Sequence, residues 1–141
     1  MPAALEFAVL SLEVEHIIVL GHAQCGGIHA LMHGAGPGGE FIGKWVGIAQ
    51  RARARVFTEL PSKSPALQAR ACEQAAILVS LENLMTYPWI ADRVTKGAMH
   101  LHGWYFDMAE GALLHYDPAR NAFESIAVDP IKADVAGQVG G

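Results

Sequence analysis

Apolar residues recur at helical spacing from the start of the chain. Leu5, Ala8, Val9 and Leu12 share one face over residues 3 to 14, which predicts an amphipathic helix. The run His16-Ile-Ile-Val-Leu20 then breaks that period. It is short, β-branched and without alternation, the pattern of a strand buried on both faces of a parallel sheet. Gly21 to Gly27 reads as a turn into a second helix ending near His33, and Gly34 to Gly39 as a flexible loop. Phe41, Trp45, Ile48 and Ala52 form one apolar helical stripe. After a break between Pro61 and Pro65, with Ser62 and Ser64 as candidate caps, Leu67, Ala71, Ala75, Leu78 and Leu81 form another. Thr86 with Pro88 predicts a short helix that Gly97 closes. Ala98 to Met108, Ala112 to Tyr116 and Ala122 to Val128 read as strands, and the tail from Gly137 to Gly141 as frayed.

This order of elements predicts an α/β fold, a mostly parallel sheet flanked by helices. The first strand has the composition of a central strand, yet no earlier strand precedes it. With 141 residues, 52% hydrophobic and 17% charged, the chain has the size and core of one domain. A net charge of −4 argues against nucleic acid, and Arg51, Arg53 and Arg55 read as a solvated helix face. No apolar stretch reaches the roughly 18 residues needed to span a bilayer. The start, MPAALEFAVL, lacks the pattern of a secretory leader. Two cysteines do not make a disulfide framework, so a cytoplasmic protein is expected, with no membrane or nucleic-acid partner.

The segment with chemistry is Gly21-His22-Ala23-Gln24-Cys25-Gly26-Gly27, at the carboxyl end of the first strand, where open α/β sheets bind ligands. His22 and Cys25, three residues apart, can reach one metal ion as the chain turns, and the helix start behind Cys25 favours a thiolate. On spacing alone His-x-x-Cys is a weak signal, and a packed histidine beside a packed cysteine is the commoner outcome. A P-loop reading fails because Gly27-Ile28 stands where Lys-[Ser/Thr] is required. A thioredoxin-like site fails because Cys25 has no second cysteine nearby. Cys72 reads as an inert buried thiol.

Taken together, Ala4 to Val9, His16 to Gly27, Phe41 to Val46, Ser80 to Leu84 with Tyr87-Pro88, Leu101 to Asp107 and Glu110-Gly111 resemble β-class carbonic anhydrases in the family's order. The resemblance implies zinc held by His22 and Cys25 and a homo-oligomer, dimeric or higher. It implies reversible hydration of carbon dioxide to bicarbonate through a zinc-bound water. It also places Phe7, fifteen residues before His22, and Gly26 at the substrate pocket, although core packing alone would also want an aromatic at Phe7 and a helix-start glycine needs no function. The family's other cysteine and its aspartate belong to a Cys-x-Asp-x-Arg motif, which these 141 residues do not contain. The expectation is therefore a single β-carbonic anhydrase-like domain, residues 1–141, truncated at its N-terminus. The alternative is a catalytically inactive subunit or binding module. His16, His29, His33, His100, His102 and His115 read as surface or packing residues, with a proton shuttle among them an option. Glu82 and Asp107 read as structural anchors, and Trp45, Trp89 and Trp104 as core or subunit contacts.

Overall fold

The computed structural model describes residues 2–126. It is an α/β structure with four strands in the order β1-β2-β3-β4. Helix α1 (Pro2–Glu6) runs into a π-helical turn (Phe7–Ser11), then β1 (His16–His22) and α2 (Gly26–His33). There follow α3 (Glu40–Val46), α4 (Gln50–Glu59), α5 (Pro65–Leu84) and α6 (Pro88–Thr95), then β2 (His100–Asp107), β3 (Ala112–Asp117) and β4 (Ala122–Ser125). The remainder of the predicted last strand, to Val128, and the frayed tail lie outside the described residues.

Strands β1 and β2 pair in parallel, His16 opposite His100 through His22 opposite Phe106, as a crossover through several helices allows. The pairings β2–β3 and β3–β4 are antiparallel, because the connections between them are far too short for a crossover.

Helix α5 is the spine, and it is buried on two sides. Ser64 caps it, Oγ accepting from the Leu67 amide at 3.4 Å, and Pro65 occupies its first turn. One side packs Cys72, Ala75 and Val79 against Leu31 and Met32 of α2 and Ala52 and Val56 of α4. The other lays Ile77 on the sheet in a cluster with Ala23 and Tyr105. Two strand glycines make that approach possible: a Cβ on Gly21 would lie 2.7 Å from Ile77 Cδ1, and one on Gly103 2.9 Å from Ile77 Cγ2. A third cluster joins Val9, Ile90 and Met99, binding the N-terminal turn to α6 and the start of β2.

Several sequence expectations change. Strand β1 is not buried on both faces. Its burial alternates, with Ile17, Val19 and Gly21 half-covered while His16, Ile18, Leu20 and His22 are exposed. Helix α5 covers one face only, and among the described residues β1 has β2 as its sole strand neighbour. The stripe from Phe41 to Ala52 does not exist as one face. A 3₁₀ turn (Gly47–Ala49) resets the helical phase, leaving Phe41 86% and Trp45 68% exposed while Ala52 is buried. Thr86 does not cap α6; its hydroxyl donates to the Asn83 carbonyl at 2.6 Å and closes α5, and Tyr87 stands at the N-cap of α6. Gly97 does close α6, at φ +72°.

Candidate metal centre

The β1–α2 turn carries the candidate ligands. His22 is the last residue of β1, and the ladder runs one bond further, from the Ala23 amide to the Phe106 carbonyl at 2.9 Å. Gln24 then adopts φ +56°, a left-handed step that turns the chain out of the sheet. Cys25 stands at the N-cap of α2, where its carbonyl accepts from the His29 amide at 2.9 Å. Strand end and helix start thus fall within one turn, and His22 and Cys25 come together on it.

His22 is exposed, and its Nδ1 lies 2.9 Å from the Ala23 carbonyl. A carbonyl can only accept, so Nδ1 carries a proton, and in the neutral ring Nε2 keeps its lone pair, the tautomer of a metal-ligating histidine. Cys25 is half-buried on the wall of an apolar cavity of about 220 Å³, beside Ile28, Leu31, Trp45, Val46 and Val79. Imidazole and thiolate are donors zinc takes, so the pair fits that metal as part of a site. Two donors are fewer than the three or four that hold it. Among the described residues, no group of three His, Cys, Asp or Glu side chains is placed to bind a metal.

The two expected pocket residues sit apart. Gly26 opens α2 next to Cys25, and the position its Cβ would fill is empty to 4 Å, so local packing does not demand glycine there. Phe7 is 58% exposed on the π-helical turn and is not on the wall of the Cys25 cavity.

A network that sequence reasoning missed stands behind the turn. Glu73 on α5 is only 7% exposed. Its Oε2 accepts from the Tyr105 hydroxyl at 2.7 Å, and its Oε1 accepts from the Cys25 amide at a long 3.4 Å. Burial first, then the bond to Glu73, pushes the Tyr105 phenol well above its ordinary range. The Arg70 guanidinium lies 5.3 Å from the Tyr105 ring centroid and pairs with Asp107 at 2.6 Å. That bond, then one from the Glu110 amide, holds the Asp107 carboxyl below the usual aspartate range. A charged residue in the apolar run from Ala71 to Val79, one turn before Ile77, was the available signal for Glu73.

The remaining polar residues have local roles. Glu82 pairs with Arg51 at 3.3 Å and Arg55 at 3.6 Å on the surface, and Arg53 stacks over Phe57 at 4.9 Å. Three histidines gather across β1 and β2. His16 Nδ1 is 3.0 Å from His102 Nε2, and the His16 and His100 rings stack at 5.4 Å. Burial, then His16 and His100, lowers the His102 pKa.

Comparison with known proteins places this geometry. A family model described as carbonic anhydrase matches residues 1–113. Two curated proteins of Arabidopsis thaliana are similar. β carbonic anhydrase 5, chloroplastic, is 41% identical over 110 residues, 77% of this chain and 36% of that protein. β carbonic anhydrase 6, mitochondrial, is 42% identical over 116 residues, 79% of this chain and 39% of that protein. The chain therefore spans under two-fifths of the length of these relatives. Among solved structures, the β-carbonic anhydrase CcaA superposes with a TM-score of 0.84 at 29% identity, covering 90% of this chain and 58% of that one. These relatives overturn the expectation of a cytoplasmic protein, since the two curated names point to organelles.

Proposed function

The chain belongs to the carbonic anhydrase family, in its β class, and from that premise we propose that it contributes His22 and Cys25 to a zinc site for reversible hydration of carbon dioxide to bicarbonate. The β1–α2 turn carries the reading: a histidine tautomer with Nε2 free, and a cysteine three residues on at an apolar cavity. Zinc, when bound, supplies the Lewis acid that lets water attack at neutral pH. This chain's residues hold and surround it. His22 and Cys25 ligate, and the apolar wall beside Cys25 admits a small substrate without hydrogen-bonding groups. Gly26 keeps the first turn of α2 open, and Phe7, exposed away from this cavity, would reach a substrate only from a second copy of the chain. The rest of the ligand set comes from a Cys-x-Asp-x-Arg segment outside these 141 residues, laid along the free edge of β1. The whole chain is then part of one catalytic domain. Homo-oligomer formation accompanies this reading, supported by the exposed apolar side chains of α3.

A second reading, an inactive subunit or binding module, is favoured by one observation: the absence of a third donor among the described residues. Metal content and stopped-flow hydration of carbon dioxide separate the two. The purified chain alone is expected to show little turnover. Joining or adding the ligand-bearing segment should restore zinc binding and activity together, and His22→Ala or Cys25→Ala should abolish both. Restored solubility without metal uptake would favour the module, and full activity of the 141-residue chain alone would overturn the half-site reading.

A further inference from the structure

The fold buries two acidic side chains among the described residues, Asp107 and Glu73, and they are satisfied differently. Asp107 has the Arg70 guanidinium and two backbone amides, of Ala109 and Glu110. Glu73 spends one oxygen on the Tyr105 hydroxyl and the other on the Cys25 amide. A buried carboxylate is costly unless such donors meet it, so its position in α5 needs both contacts. The Cys25 amide needs an acceptor as well. The β1–β2 ladder ends at Ala23, and the first amides of a helix have no partner within it.

We infer that Glu73 is a positioning residue for Cys25. Held by the Tyr105 hydroxyl, its carboxylate anchors the Cys25 amide and so fixes where the thiol lies relative to His22. The left-handed step at Gln24 gives the turn a geometry that other backbone settings would readily replace, and Glu73 reaches across from α5 to hold it. The inference deepens the metal reading above and rests on it for its metal readout only.

The test uses the whole chain with Glu73→Leu, Glu73→Gln and Tyr105→Phe. Two quantities are followed: hydrogen exchange of the Cys25 amide without metal, by NMR, and, with the ligand-bearing segment joined, Co²⁺ affinity from the thiolate-to-cobalt absorption band. Glu73→Leu keeps bulk but removes the acceptor. It should speed Cys25 exchange and weaken Co²⁺ binding about tenfold, the low end for an outer-shell contact, as suits a 3.4 Å bond. Glu73→Gln should restore both, its carbonyl accepting from the Cys25 amide while its NH₂ donates to the Tyr105 oxygen. Where Glu73→Leu fails to fold, Tyr105→Phe, which keeps the carboxylate but frees it, should still speed Cys25 exchange selectively. Unchanged Cys25 exchange in the folded variants overturns the inference, as does acceleration spread evenly over β1 and β2. Co²⁺ binding that survives Cys25→Ala would defeat the metal reading instead, and the exchange data would still decide the role of Glu73.

Discussion

Ile77 is 3% exposed and wedged between two strand glycines, and that wedge sets the distance from α5 to the sheet. Gly21→Ala would place a methyl 2.7 Å from Ile77 Cδ1 and 2.8 Å from Cγ1. Carbon atoms rest about 3.5–4.0 Å apart, so helix or side chain must yield by roughly 0.8 Å. Overpacking of this kind costs about 1–3 kcal/mol. Ile77→Ala makes a cavity in the same place and costs about 2–5 kcal/mol. Were the two independent, the double variant would lose about 3–8 kcal/mol, enough to unfold many domains. They share one space, however, and the methyl that Gly21→Ala adds enters the volume that Ile77 vacates. The double variant should therefore be about as stable as Ile77→Ala alone, with a favourable coupling of about 1–3 kcal/mol. Urea denaturation followed by far-ultraviolet circular dichroism measures all four corners of the cycle, provided the slope m stays constant. Additivity within about 0.5 kcal/mol would refute the wedge, and with it the placement of α5 that brings Glu73 to the Cys25 turn.

Two further outcomes follow from the burial and charge partners of Cys72 and Asp107. Burial first, then Glu73, pushes the Cys72 thiol up to about 11. Iodoacetamide at pH 8 should therefore label Cys25 and spare Cys72 until the protein unfolds, as read by peptide mass spectrometry; equal labelling in the native state would refute this. The Asp107 carboxyl is held below its ordinary value by Arg70 and the Glu110 amide, so its folded pKa lies under its unfolded one. Its contribution to stability is present above the unfolded value of about 3.9 and lost as pH falls through the lower, folded one. Asp107→Asn should flatten the acid limb of the stability curve below about pH 4, and an unchanged limb in that variant would refute the assignment.

Local patterns in the sequence were enough for elements whose order is written in neighbouring residues. The β1–α2 turn, the Ser64 cap with Pro65, the Gly97 stop and the strands β2 to β4 all follow from adjacent residue types. Burial was not legible in the same way, because it depends on what packs from afar. The apolar run in β1 suggested cover on both faces, and α5 supplies cover for one. The stripe from Phe41 to Ala52 failed because a single 3₁₀ turn rotates everything after it. Glu73 went unnoticed because its partners, Tyr105 and Cys25, lie 32 and 48 residues away. The meeting of His16 with His102 spans 86 residues and depends on the register of two strands. His22 and Cys25 stood out because both candidate ligands sit on one turn, the sole part of the candidate site that is local in the chain.

The pairing of only two candidate ligands on the β1–α2 turn and the bare face of β1 have a common geometric root. Side chains alternate along a strand, so Ile18 and Leu20 share a face with His22, opposite the one α5 covers. Leu20 is 61% exposed there, and Phe106, directly beside His22 on β2, is exposed as well. On the other side of β1, backbone amides and carbonyls have no strand partner among the described residues. A strand added along that edge would satisfy those groups, and helices joined to it could cover Ile18, Leu20 and Phe106. Parallel to β1, it would end at the same level as His22, where a ligand at its carboxyl end would face the β1–α2 turn. Edge pairing, apolar cover and metal coordination are therefore not three separate deficits to be met in turn. One neighbouring strand in parallel register, with the helices joined to it, would supply all of them, and so solubility, metal affinity and turnover should rise or fall together.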